Sequence, residues 1–142
     1  MRRMLVAVDG SDCSLRALDH AGRQAQAGPP TRLYVLAVQP PVRVYGEVEV
    51  YAGEERMREL AARQAMNSLV AARERLAGSG TDAEFEELEG DPAATIARRA
   101  AELGCESIVM GTHGRGRLTH LVMGSVAQRV VQLASVPVTL VR

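Results

Sequence analysis

The sequence predicts an α/β protein of three layers, α/β/α, with a five-stranded parallel sheet in the middle. Two observations carry that prediction. Short β-branched runs alternate with longer segments whose apolar residues recur at helical spacing. The inner runs are also continuously apolar, as strands covered on both faces must be. Together they describe strand–helix–strand crossovers and a sheet coated on both sides. At 142 residues, with no internal repeat, linker or low-complexity tail, one domain over residues 1–142 is expected.

Taken in order, Leu5–Val8 is the first buried strand. Ser11 and Asp12 in "GSDCS" are candidate helix caps, and Ala17, Leu18, Ala21 and Ala25 follow at helical spacing until Gly28-Pro29-Pro30 ends the helix. "RLYVLAV" is the second strand, closed by Pro40 and Pro41. Residues 42–53, "VRVYGEVEVYAG", read either as a small hairpin about Gly46 or as an excursion without fixed structure. A helix is expected from about Glu54 to Ala77, with Met57, Leu60, Ala61, Ala65, Leu69, Ala72 and Leu76 on one face and Gly78 closing it. "AEFEELE" is a more polar strand and so belongs nearer a sheet edge. "GDPAATIARRAAELG" is a helix capped by Asp91, with Pro92 in its first turn and Gly104 after its end. "CESIVMG" is the fourth strand, Ser125–Ala134 the last helix and "VPVTLV" the fifth strand. Met57, Met110 and Met123 read as core filling. Strand orders 3-2-1-4-5 and 2-1-3-4-5 both satisfy this pattern. Either puts Asp9, the segment after Val38 and the loop after Met110 on one rim, at the carboxyl ends of the strands.

Composition narrows the function. Seventeen basic and seventeen acidic residues balance, which argues against a nucleic acid or an anionic membrane as partner. Every basic residue is Arg, so neither a P-loop lysine nor a Schiff-base lysine is available. Cys13 and Cys105 are far apart and lack a CxxC partner, so reduced thiols are expected rather than zinc ligands or a disulfide. The apolar run after "MRRM" is too short for a signal peptide, and nothing approaches the ~18 apolar residues of a membrane span. A soluble, cytoplasmic protein is the expectation.

The stretch "GTHGRGRLTHLVMGS", Gly111–Ser125, carries the chemistry. It holds the spacing G-x2-G-x9-G-S between a buried strand and a helix. Gly111 and Gly114 allow close backbone approach and positive φ, and exposed N–H groups along such a loop form an anion nest. Gly124 and Ser125 open a helix whose first turn presents unpaired N–H groups and the positive end of a dipole. Arg115 and Arg117 are candidate phosphate contacts. Loops of a dozen residues between α/β elements are uncommon unless functional. Asp9 suits a ribose hydroxyl or a metal, or serves only as a cap for the turn at Gly10–Ser11. His113 lies inside the loop, where its backbone is the expected contributor, while His20 and His120 lack metal-ligand spacing.

"MLVAVDGSDCSLRALDHA", "LYVLAV" and the run from Gly90 to Arg142 resemble the universal stress protein family in its ATP-binding single-domain form, over nearly the whole chain and least across residues 40–85. Gly111, Gly114, Gly124 and Ser125 match that family's nucleotide signature. The resemblance implies strand order 3-2-1-4-5 and ATP, alone or with magnesium or manganese, across the carboxyl edge of the sheet. It implies Ala7 and Asp9 at the adenosine end and Val38 meeting adenine through its backbone. Gly111, Thr112, His113, Gly114, Arg115, Gly116 and Arg117 would wrap ribose and phosphates, and Ser125, Val126 and Ala127 would supply the helix N-terminus. Arg117, His120 and Cys13 depart from the residues usual there. The resemblance also points to a homodimer through the C-terminal strand, an apolar edge in that order.

Three function classes follow: a nucleotide-dependent regulatory module in stress response with a partner protein, a slow ATPase or autophosphorylating enzyme, and an interaction protein holding another small metabolite. Efficient phosphoryl transfer needs a placed base, cationic charge and metal ligands around the γ-phosphate. The sequence offers arginines and one aspartate, which favours the first class.

Overall fold

The computed structural model describes residues 1–42, 49–115 and 123–142, the side chains of 49–52 excepted. The chain runs β1 (Arg2–Ala7), α1 (Asp12–Ala27), β2 (Thr31–Gln39), α2 (Glu49–Leu76), β3 (Asp82–Glu89), α3 (Pro92–Glu102), β4 (Ser107–Gly111), α4 (Ser125–Leu133) and β5 (Val138–Val141). The strands form one sheet in the order β3-β2-β1-β4-β5, and every pairing is parallel. Of the two orders open to the sequence pattern, it is the one the family resemblance implied.

The continuous apolar runs feed two cores. Successive strand side chains point to opposite faces, so Met4 and Val6 of β1 join Leu33, Val35 and Val109 beneath α1 and α2. Leu5 points the other way, joining Leu36, Ile108 and Met110 beneath α3 and α4. Met123 packs against that second core, as expected of core filling.

Helix starts follow their caps. The Ser11 side chain accepts from the Ser14 N–H and caps α1, which leaves Asp12 inside the first turn. Asp91 accepts from the Ala94 N–H and caps α3, with Pro92 at its start.

Two expectations for the middle of the chain need correction. The structure begins α2 at Glu49, not Glu54, so residues 49–53 are helical rather than hairpin or irregular. The turn proposed about Gly46 lies outside the described residues. Once a helix is nucleated, each further residue adds a hydrogen bond without a new nucleation cost. Gly53 is carried along for about 1 kcal/mol relative to Ala. Secondly, Met57 is not core filling. It is 57% exposed and Leu60 48% exposed, whereas Ala65, Leu69 and Ala72 are buried. The apolar spacing is real, but only the second half of α2 lies over the sheet core.

Candidate functional site

The order reverses between β1 and β4. β1 leads into α1 on one face of the sheet and β4 leads toward α4 on the other, so their carboxyl ends part and leave a crevice. A cleft of about 350 Å³ opens there. Ala7, Asp9, Val38, Gly111, Thr112, His113, Gly114, Arg115, Gly124, Ser125, Val126 and Ala127 all line it. Gly116, Arg117 and His120 lie outside the described residues.

Asp9 leaves β1 in a turn of its own making. Its Oδ1 accepts from the Ser11 N–H at 2.9 Å and from the Ser11 hydroxyl. The capping role is therefore present. It uses one carboxylate oxygen. The other, Oδ2, stands 2.6 Å from the place a Cβ on Gly114 would occupy. Gly114 must be glycine for Asp9 to stay where it is. Neither Gly111 nor Gly114 is among the positive-φ residues, so close approach rather than unusual backbone is what both supply. For Gly111 the neighbour is protein. A Cβ there would meet Cys13 Sγ at 2.9 Å and the Cys13 carbonyl carbon at 3.0 Å, so this glycine lets β4 sit against α1.

The loop after β4 is pinned at its neck. The Thr112 N–H donates to the Val141 carbonyl at 2.8 Å, and the Gly124 N–H donates to the Thr112 carbonyl at 2.6 Å. Thr112 Oγ1 shares a hydrogen bond with His113 Nδ1 at 2.9 Å. Cys13 completes this corner, donating its thiol hydrogen to the Val141 carbonyl at 3.0 Å. Burial pushes that thiol up, but hydrogen bonds from the backbone of His113 and from Thr112, with the charge of Arg16, bring it below its ordinary value. At Cys105 burial outweighs the charges of Arg3 and Arg99, and the thiol is pushed up to about 11.

Helix α4 begins differently from α1 and α3. Its N-cap is Gly124, with no side-chain cap hydrogen bond, and its first residues Ser125, Val126 and Ala127 line the cleft. The N–H groups of that turn and the positive end of the helix dipole thus face the cavity. At the opposite end, the Leu36 carbonyl accepts from the Val8 N–H, so Leu36 turns its backbone groups toward β1. Strand alternation turns the N–H and C=O of Val38 the same way. The last β1–β2 pair is Ala7 with Leu36, so Val38 faces this side beyond the end of β1.

Sequence reasoning missed the cleft's apolar wall. Leu36, Pro40, Pro92, Ile96 and Met110 form it, with Gln64 of α2 at the rim. Pro40 follows Val38 closely enough to have been inferred. Pro92 and Ile96 carried no local signal, because α3 reaches the cleft only once the sheet is assembled. Among the described residues no group of three or more His, Cys, Asp or Glu could hold a metal ion, and no helix is long and apolar enough to cross a membrane.

The model of the universal stress protein family matches residues 1–142. The universal stress protein YxiE of Bacillus subtilis is 35% identical, covering 99% of this chain and 98% of its own. The universal stress protein UspA from Lactobacillus plantarum shares the fold with a TM-score of 0.85 at 24% identity, over 99% of this chain and 97% of that one. A universal stress protein crystallised in complex with cAMP superposes with a TM-score of 0.71 at 26% identity, over 99% of this chain and 97% of its own. With the family pattern matched from the first residue to the last and the strand order shared, the chain belongs to the universal stress protein family.

Proposed function

We propose that the protein binds an adenine nucleotide, ATP in particular, and works as a nucleotide-dependent regulatory module in stress response. The observation that carries this reading is the uncapped first turn of α4, open to the cleft beside Asp9 and Gly114. An anion is the natural partner of such a helix end. The backbone of Val38, at the far end, suits the hydrogen-bonding edge of adenine, and the wall of Leu36, Pro40 and Ile96 suits its faces. A relative of 26% identity in complex with cAMP supports an adenine ligand. Ala7 and Asp9 would border the adenosine, and the backbone of the segment from Gly111 to Arg117 would wrap ribose and phosphates. Magnesium or manganese would enter with the nucleotide, held chiefly by phosphate oxygens with Asp9 as the protein carboxylate at hand.

Binding, and not turnover, is the proposed activity. Asp9 is the only carboxylate among the described lining residues, short of the base and metal ligands phosphoryl transfer needs. The outer edge of β5, unpaired among the described residues, supports a homodimer, the two free thiols support a cytoplasmic setting, and a partner protein would read nucleotide occupancy.

Titration calorimetry with ATP tests the site. Gly114→Glu puts a second carboxylate against Asp9 and an anion among the phosphates, and it should weaken binding by more than about tenfold, or 1.4 kcal/mol, with the circular dichroism spectrum unchanged. Unchanged affinity in that folded variant refutes the assignment. A sustained ATPase rate within the ordinary range of ~1–1000 per second refutes the binding-first reading.

A further inference from the structure

Arg115 sits where a phosphate contact was expected, yet its side chain is committed to protein. Its Nε donates to the Asp9 carbonyl at 2.5 Å, joining residues 106 apart in sequence. Its guanidinium lies over Gly10, with Nη2 2.5 Å and Cζ 3.4 Å from where a Cβ on Gly10 would stand. Ser68 Oγ of α2 is 3.0 Å from the same point. Gly10 has φ of +80°, a conformation suited to glycine, and its bare surface is what leaves room for the guanidinium.

The two neighbouring loop residues therefore grip Asp9 from both ends. Gly114 lies against its carboxylate and Arg115 holds its carbonyl. Arg115 also divides two spaces. It lines the cleft, and it lines an open pocket behind it shared with Gly10, Ser11, Asp12 and Cys13. A side chain in that position joins the loop after β4 to the turn after β1, the two lips of the crevice.

We propose that Arg115 is a positioning residue, a latch between the two lips of the cleft that sets how fast a nucleotide enters and leaves, rather than a phosphate ligand. This rests on the nucleotide reading of the cleft. The latch bond is exposed, so water replaces it readily and it opens thermally. While it is closed, it holds the residues after β4 against the turn after β1, so the two lips cannot part. Opening precedes both entry and exit, so the latch scales both rates and affects affinity little.

Stopped-flow and equilibrium binding of fluorescent ATP and AMP to Arg115→Ala and Arg115→Lys test this. Arg115→Ala should raise association and dissociation rates together by about tenfold and leave both affinities within about threefold. A loss of affinity confined to ATP and restored by Arg115→Lys overturns the latch and makes Arg115 a phosphate ligand. Hydrogen exchange in the nucleotide-free protein gives an independent reading. The Ser11 amide, which donates to Asp9, and the Gly124 amide at the loop neck should exchange about tenfold faster in Arg115→Ala. Unchanged exchange overturns the latch. Faster exchange in a protein that binds neither nucleotide upholds the latch and overturns the nucleotide reading instead.

Discussion

Gly111 and Gly114 belong to one motif and are glycine for different reasons. The first keeps β4 against α1, where Cys13 leaves no room for a Cβ; the second keeps space for the Asp9 carboxylate. Gly111 is buried and Gly114 exposed, so their neighbours differ in how far they can yield. Gly111→Ala must displace helix backbone and should cost about 1–3 kcal/mol. Gly114→Ala asks only an exposed loop and one side chain to move, and should change stability by less than about 0.5 kcal/mol while weakening ATP binding. Urea denaturation and calorimetry on both variants check the pair. Equal loss of stability in the two would remove the distinction. The spacing of these glycines was legible because a loop motif is contiguous in sequence. The division of labour was not, because Cys13 and Asp9 reach the loop from the other side of the sheet switch.

Among the elements, the strands were the most legible. Their continuous apolar runs follow directly from burial on both faces. Caps were legible for the same kind of reason: Ser11 and Asp91 act on N–H groups three residues away. The start of α2 was not, because alternation in "VYGEVEV" competes with propagation of a helix already nucleated downstream. Nor was the end of its buried face, since no local rule says how far the core extends along a helix of 28 residues. The energetic consequence is direct. Leu69→Ala empties buried volume and should cost about 2–4 kcal/mol, whereas Met57→Gln should stay within about 0.5 kcal/mol. Chemical denaturation separates them. A large loss for Met57→Gln would mean that something covers the first turns of α2 in solution.

At the scale of the molecule, the two edges of the sheet are unequal. β3 carries Asp82, Glu84, Glu86, Glu87 and Glu89, and a second copy of it would bring like charges together. β5, Val138–Val141, is uncharged and half-exposed throughout, and among the described strands none pairs with its outer edge. The carbonyls of Pro137 and Val141 accept from β4 and its following residue, so odd-numbered residues face inward. The backbone groups of Val138 and Leu140 therefore face outward. A two-fold axis lets them pair antiparallel with their copies and closes the edge without a growing fibre. The side chains of Val138 and Leu140 pack into the core beneath α3 and α4, so charging them would test folding more than assembly. Val138→Pro removes one outward N–H, keeps an apolar side chain and suits an edge strand. The 15.3 kDa chain should sediment as a dimer and Val138→Pro as a monomer at the same concentrations, with unchanged circular dichroism. A native protein that stays monomeric at every concentration ends the proposal, and a dimer indifferent to the proline moves its seam away from β5.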